Sequence, residues 1–379
     1  IMQILKEVKK NEKQLINDLC GLLAINSVLV ETPNDKEAPF GKGVRESLDY
    51  ILKLGESFGF KVKNVGNVAG HIEFGEGKDL IGILAHVDVV PAVGNWTYPP
   101  FTPTVVDGKI YARGAIDDKG PAIASLYALK IIKDLGLKLN KRVRLIIGTD
   151  EESKWRCMDT YFKNEEMPTI GFSPDANFPV IYGEKGILSI DLITNEKSNL
   201  NFNSGVRYNV VPSEATAKVS DDIAKEFTNY LKTNNYNGNI ENDAITIYGV
   251  SAHAMQPEKG INAAILLSKF LKNYVNNNVI NFLTDKLTDT RLKAIGLDFT
   301  DQEMGDLTMN VGIVEVNENG GRIGLNFRYP INWDKEKFLN EFAKLAKTYK
   351  LELKIVSDQN PHYVSKDDEL VKILHNAYV

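Results

Sequence analysis

Only two cysteines stand in this chain of 379 residues, Cys20 and Cys157, far apart and without CxxC spacing. That scarcity excludes a disulfide framework and a thiolate metal or redox site, and it reads as two inert thiols in a reducing compartment. Long hydrophobic runs are also missing. No apolar stretch approaches the ~20 residues that cross a bilayer, and the N-terminus, rich in Lys and Glu, lacks the apolar core of a signal peptide. Positive charge is not in excess either: the net charge is -5, which excludes the broad basic surface that a nucleic-acid backbone calls for. The expectation is a cytoplasmic chain with neither membrane nor nucleic acid as partner. Its 43% hydrophobic content is ample for two domains and their cores.

The stretch LIGILAHVDVVP, residues 80 to 91, organises the rest. A continuous apolar run of this kind fills a buried strand, and His86 and Asp88 follow at its end, on one face by period-two alternation. An imidazole with a carboxylate beside it is the unit of metal sites, where the acid fixes the tautomer and aim of the ring. Further carboxylates arrive in the same manner. Asp117 and Asp118 precede a helix that buries Ile123, Leu126, Leu129, Ile131 and Ile132. The run RVRLIIGTDEE ends in Asp150, Glu151 and Glu152, and TIGFSPD runs out into Asp175. Strand ends are where α/β sheets keep their active sites. So many acids with few basic groups nearby would repel one another without a cation. A His-plus-carboxylate mixture favours zinc, cobalt or manganese over calcium or magnesium.

Elsewhere, residues 12 to 25 and 44 to 58 carry apolar residues at helical spacing, and Asp107-Gly108 signals a hairpin. His71, alternating into a strand, reads as structural.

The motifs HVDVVP, GAIDDKGP, GTDEESKW and SPDANFPVIYGEKG, followed by RYNVVP, GVSAHAMQPEKGINAA, FRYP and PHYV, resemble those of the co-catalytic dizinc exopeptidases related to aminoacylase and carboxypeptidase G. Among these they are most similar to the bacterial PepV-type metallo-dipeptidases. The resemblance implies an α/β catalytic domain, with a mixed central sheet flanked by helices, interrupted by an α+β lid. The catalytic domain is expected over residues 1–186, the lid over 187–356 and the return to the catalytic domain over 357–379.

The same resemblance implies hydrolysis of dipeptides or very short peptides by two zinc ions per subunit, with cobalt or manganese as substitutes and a bridging hydroxide as nucleophile. It makes His86, Asp117 and Asp175 ligands of one zinc, Asp117 the bridge to the second, and Glu152 a ligand of that second ion. Asp117 is chosen over Asp118 because one residue separates it from Lys119-Gly120, as in the family. Glu151 is the implied general base and Asp88 the carboxylate orienting His86. The resemblance further implies that Asn209 and His253 bind the substrate carbonyl or oxyanion, and that Arg328 takes the terminal carboxylate. Asp at position 175 favours a dipeptidase over an N-acyl amino-acid deacylase, the alternative within the family. Related enzymes also have a cis peptide after the bridging Asp, so Asp117-Asp118 is expected to be cis.

One feature departs from the family: a C-terminal histidine after a GGGT-like stretch, which completes the second zinc site, does not occur. His362 and His375 do not match it. With Ile1 at its start and a final helix that lacks a stop signal, the chain reads as a fragment or a natural truncation; a true lack of that ligand would point to a non-catalytic peptide-binding relative. The lid is long enough for two α+β halves, and its likeness to the enlarged lid of PepV-type enzymes, whose halves imitate within one chain the pairing of dimeric relatives, implies a monomer whose His253 serves its own active site.

Overall fold

The computed structural model describes residues 2–32 and 34–379, leaving aside the side chain of Met2. The chain forms two compact units, Ile1–Val180 and Ile181–Val379.

The first unit is α/β. It opens with α1 (Met2–Leu23), which buries Leu19, Leu22 and Leu23, and α2 (Lys42–Ser57), which buries Val44, Leu48, Ile51 and Leu52 at helical spacing. Strands β1 (Lys61–Val65), β2 (Ala69–Phe74) and β3 (Leu80–His86) follow, then the hairpin β4 (Thr104–Val106) and β5 (Lys109–Tyr111). Asp107 and Gly108 make its turn with φ of 49° and 73°, the paired positive values of a tight hairpin turn. The unit continues through α3 (Lys119–Asp134), β6 (Arg142–Gly148), α4 (Arg156–Asn164) and β7 (Ile170–Phe172).

The central sheet has the order β1-β2-β6-β3-β7. β1, β2 and β6 pair antiparallel, whereas β6, β3 and β7 run parallel. The sheet is therefore mixed, as expected. Alternation along β6 covers both faces: Leu145 and Ile147 pack with α1, α2 and α3, while Ile146 packs with Cys157, Met158 and Tyr161 of α4. Each such fully buried aliphatic side chain contributes about 1.5–3 kcal/mol. Because β3 and β6 are parallel and in register at His86 and Gly148, the loops leaving both strands emerge on one rim, and β7 runs beside β3 toward it.

The second unit begins with β8 (Gly183–Glu184), β9 (Gly186–Thr194), β10 (Asn201–Ser204), β11 (Glu214–Lys218), α5 (Asp221–Asn234), β12 (Asn237–Glu241) and β13 (Ala244–Tyr248). It continues with α6 (Ala263–Leu271), α7 (Asn278–Lys286), β14 (Thr300–Asp301), β15 (Gly305–Asp306), β16 (Thr308–Asn317) and β17 (Gly320–Tyr329). It ends with α8 (Lys335–Lys347), β18 (Glu352–Gln359), β19 (His362–Tyr363) and α9 (Glu369–Tyr378). Its antiparallel sheet has eight strands in the order β12-β13-β11-β10-β16-β17-β9-β18. Ile323, Leu325 and Phe327 of β17 join Phe227, Phe270, Phe282 and Phe342 of the helices in one core, so the intervening Asn326 and Arg328 lie on the other face of the sheet. The first expected domain division, at 186/187, lies a few residues past the start of this unit, and the second, at 356/357, falls inside β18. Among the described residues no helix is long and apolar enough to cross a membrane.

Candidate metal centre and active site

His86 closes β3 on the rim where the parallel strands end, and its side chain is only 3% exposed. Its Nε2 lies 3.1 Å from Asp117 Oδ1, 3.2 Å from Asp175 Oδ2 and 3.7 Å from Glu151 Oε2. Each of those acids comes from a different loop. On the other side of the ring, Nδ1 lies 3.0 Å from the backbone carbonyl of Asp88 and 3.3 Å from its Oδ1. Nδ1 is thus engaged by Asp88, and Nε2 is aimed at the carboxylates. The second carboxylate oxygen of Asp88 accepts the Glu152 N–H at 3.0 Å, tying the end of β3 to the loop after β6.

Donor atoms of His86, Asp117 and Glu152 lie within 4.8 Å of one another, and so do those of His86, Asp118 and Asp175. The reading from sequence passed over Asp118, yet its side chain is fully buried, accepts the His86 N–H at 3.0 Å through Oδ2, and has an Oδ1 without a hydrogen-bond partner among the described residues. The signal was present in the paired acids before α3. The peptide between Asp117 and Asp118 is cis, as the resemblance implied. Asp150, in contrast, turns away from this cluster: Arg156 binds it through Nε and Nη2, both at 2.8 Å, and through its backbone N–H at 3.0 Å. It braces the loop that carries Glu151 and Glu152.

The electrostatics match the crowding. Burial, reinforced by Asp117, pushes Glu152 up to about 7, and burial, reinforced by Asp175 and Asp117, pushes Asp118 up to about 8. Glu151 is also raised, by burial first. Burial alone would lower the His86 imidazole, but hydrogen bonds to Asp117, Asp175 and Asp88 outweigh it and raise the ring. A buried carboxylate oxygen without a partner, acids that cannot all ionise together, and one imidazole at their centre form a donor set that fits a divalent cation.

Next to this cluster Lys119 is fully buried, and its Nζ donates to the carbonyls of Leu22 at 3.0 Å and Ile25 at 2.8 Å. It pins the Asp117-Asp118 loop to the C-terminal end of α1, where helical carbonyls lack partners of their own.

In the second unit, Asn209 and His253 come together. Val210 and His253 form an isolated antiparallel bridge, and the Asn209 carbonyl accepts the Ala254 N–H at 3.0 Å. His253 Nδ1 accepts the Met255 N–H at 3.2 Å, so the ring proton sits on Nε2. Partial burial and the Arg328 charge lower its pKa below the ordinary value. Arg328 itself is half-buried, and its Nε donates to Asn326 Oδ1 at 3.1 Å.

A family model described as peptidase family M20/M25/M40 matches residues 82–379. The chain belongs to this family. The family is the one that the motifs pointed to, and it makes the protein a peptide hydrolase. Among M20-related proteins, the one named "Putative dipeptidase YtjP" of Bacillus subtilis (strain 168) is 45% identical over 394 residues, covering 98% of this chain and 84% of its own length. In fold the chain is similar to human carnosine dipeptidase 1, with a TM-score of 0.54 at 13% identity over 97% of this chain and 82% of that one. It is equally similar to an M20 family metallo-carboxypeptidase from Sulfolobus solfataricus, with a TM-score of 0.54 at 20% identity over 94% of this chain and 81% of that one.

Proposed function

We propose that this chain is a zinc-dependent dipeptidase, cleaving dipeptides or very short peptides in the cytoplasm as a monomer. The observation that carries the reading is the convergence of Asp117, Asp118, Glu151, Glu152 and Asp175 on a buried His86, with Asp117, Asp175 and Glu151 within 3.7 Å of its Nε2. The name borne by the Bacillus relative supports the dipeptide as substrate. Two free cysteines suit the cytoplasm, and eight strands contributed by one chain to the sheet of the second unit support a monomer. Segment 187–356 is the lid on this reading, and the chain returns to the catalytic domain from 357.

His86, Asp117, Glu152 and Asp175 would hold two zinc ions, for which cobalt or manganese could substitute, with Asp117 shared and Asp118 close enough to join. Bound there, divalent ions supply Lewis acidity toward the scissile carbonyl and lower the pKa of a water. Asp88 holds the His86 ring in place from behind. Glu151 takes a proton from the attacking water as its oxygen bonds to the carbonyl carbon, then delivers that proton to the amine nitrogen as the C–N bond breaks. Its raised pKa suits a base that must also release its proton. His253, with its proton on Nε2, donates to the oxyanion, and Asn209 positions the carbonyl. Among the described residues no carboxylate pairs with Arg328, which leaves its Nη groups to take the free carboxylate of the substrate.

The test is Glu151→Gln. Zinc content should stay near wild type, while turnover of an Ala-Ala-type dipeptide falls by at least about two orders of magnitude, the usual scale for a general base. Wild-type turnover in this variant, or a wild-type enzyme that prefers N-acetyl amino acids to free dipeptides, would overturn the proposal.

A further inference from the structure

Polar side chains buried within a sheet are costly unless each has a purpose and a partner. The second unit contains such a row. Ser189 of β9, Asn326 of β17 and Asn310 of β16 are directly opposite one another in register, and all three are buried. Asn326, only 2% exposed, donates from Nδ2 to Ser189 Oγ at 3.1 Å. The Arg328 Nε–H can only donate, so it sets which way the amide faces: Oδ1 accepts it at 3.1 Å, and Nδ2 is held by the Ser189 hydroxyl. Asn310 donates to the carbonyls of Tyr208 at 2.8 Å and Val210 at 3.0 Å, holding the backbone on both sides of Asn209. Across from Arg328 in register stands Thr308, whose buried hydroxyl has no hydrogen-bond partner among the described residues. The unsatisfied polar capacity of this face therefore gathers at the Thr308–Arg328 pair, where the Thr308 hydroxyl lacks a partner and the guanidinium is bonded through Nε.

We infer that Asn326, locked by Ser189, is a positioning residue that engages the Nε edge of Arg328 and so presents the Nη1/Nη2 fork, end-on, to the carboxylate of the substrate. A guanidinium can meet a carboxylate through its Nε/Nη side or its Nη1/Nη2 end. Occupying Nε removes the first choice and holds a flexible side chain in one orientation before substrate arrives. The selectivity of the enzyme for free over amidated C-termini then depends on a residue that never touches the substrate. This inference rests on the reading of Arg328 as the carboxylate clamp.

The experiment compares KM and kcat for a free dipeptide and its C-terminal amide in the wild type, Arg328→Ala, Asn326→Leu and Ser189→Ala. Asn326→Leu should raise KM for the free dipeptide about tenfold or more, the scale of one hydrogen bond to a charged group, while KM for the amide and both kcat values stay within about twofold. Ser189→Ala should move KM in the same direction by a smaller factor and Ser189→Thr should not, so these variants decide the matter if Asn326→Leu does not fold. An unchanged ratio of free to amidated KM in Asn326→Leu and Ser189→Ala, alongside a collapsed ratio in Arg328→Ala, overturns this inference alone. An unchanged ratio in Arg328→Ala overturns the clamp and this inference with it.

Discussion

His71 offers a direct measure of how the first unit handles buried charge. The residue lies on β2, is 6% exposed, and contacts Tyr161 with its Nδ1 at 2.8 Å from the phenol oxygen. Arg144 Nη1 donates to that same oxygen at 3.4 Å, which leaves the phenol proton available to a neutral imidazole accepting at Nδ1. Around it stand Arg144, Glu165, Glu73 and Lys63. Burial first, and the Arg144 charge second, bring the ring down to about 4, against about 6.5 in an unfolded chain. Between those values the unfolded state binds more protons than the folded one, so stability falls as the pH drops from about 6.5 toward 4. The gap amounts to about 3 kcal/mol when fully titrated, of which about 2 kcal/mol falls between pH 7 and pH 5. His71→Gln retains an oxygen to accept from Tyr161 and removes the titration. Urea unfolding of wild type and variant at both pH values, with metal stripped by a chelator, isolates the term, because the carboxylates titrate equally in both chains. Wild type should lose about 2 kcal/mol more than the variant on acidification. Parallel losses in the two chains would refute the argument.

Two further expectations concern the site and the assembly. Asp88→Ala removes the carboxylate behind His86 and the acceptor of the Glu152 N–H, so zinc affinity measured by chelator competition should weaken about 10–100-fold; unchanged affinity would show that Asp88 positions nothing. Light scattering at assay concentration should return the mass of a single chain, and mixing inactive Glu151→Gln chains with inactive His253→Ala chains should restore no activity; recovered activity would place His253 across an interface.

Much of the fold was legible because its signals are local. The apolar run before His86 gave β3, the paired turn residues gave the hairpin, and helical spacing gave α2 almost to its ends. For α1 the spacing pointed to a helix only from residue 12; the first half is Lys-rich, and its apolar Ile4, Leu5 and Val8 remain exposed rather than packing into the core. The metal-binding motifs were legible for a related reason. Their donors sit in short segments at strand ends, and sequence displays a segment whole. Choosing among adjacent acids was harder, since the choice depends on which way the backbone turns. Asp118 is the capping residue of α3 and reaches back to the His86 N–H, whereas Asp150, adjacent to Glu151, is taken by Arg156 six positions on, after a left-handed turn at Trp155.

What sequence could not display is a property held by three strands at once. Period-two alternation on β17 does place Asn326 and Arg328 on one face, but a buried asparagine inside LNFRYP carries no sign of its task. Its meaning comes from Ser189 on one neighbour and Asn310 on the other, residues that the chain separates widely and only the strand register makes adjacent. The metal ligands are recognisable by their chemistry wherever they stand. A positioning residue is recognisable only by its contacts, because its chemistry is ordinary and its effect passes through another side chain. That distinction predicts where sequence reading will fall short in this protein: not at the atoms that react, but at the buried polar groups that hold those atoms still, such as Asn326 behind Arg328 and Asp150 beneath Glu151.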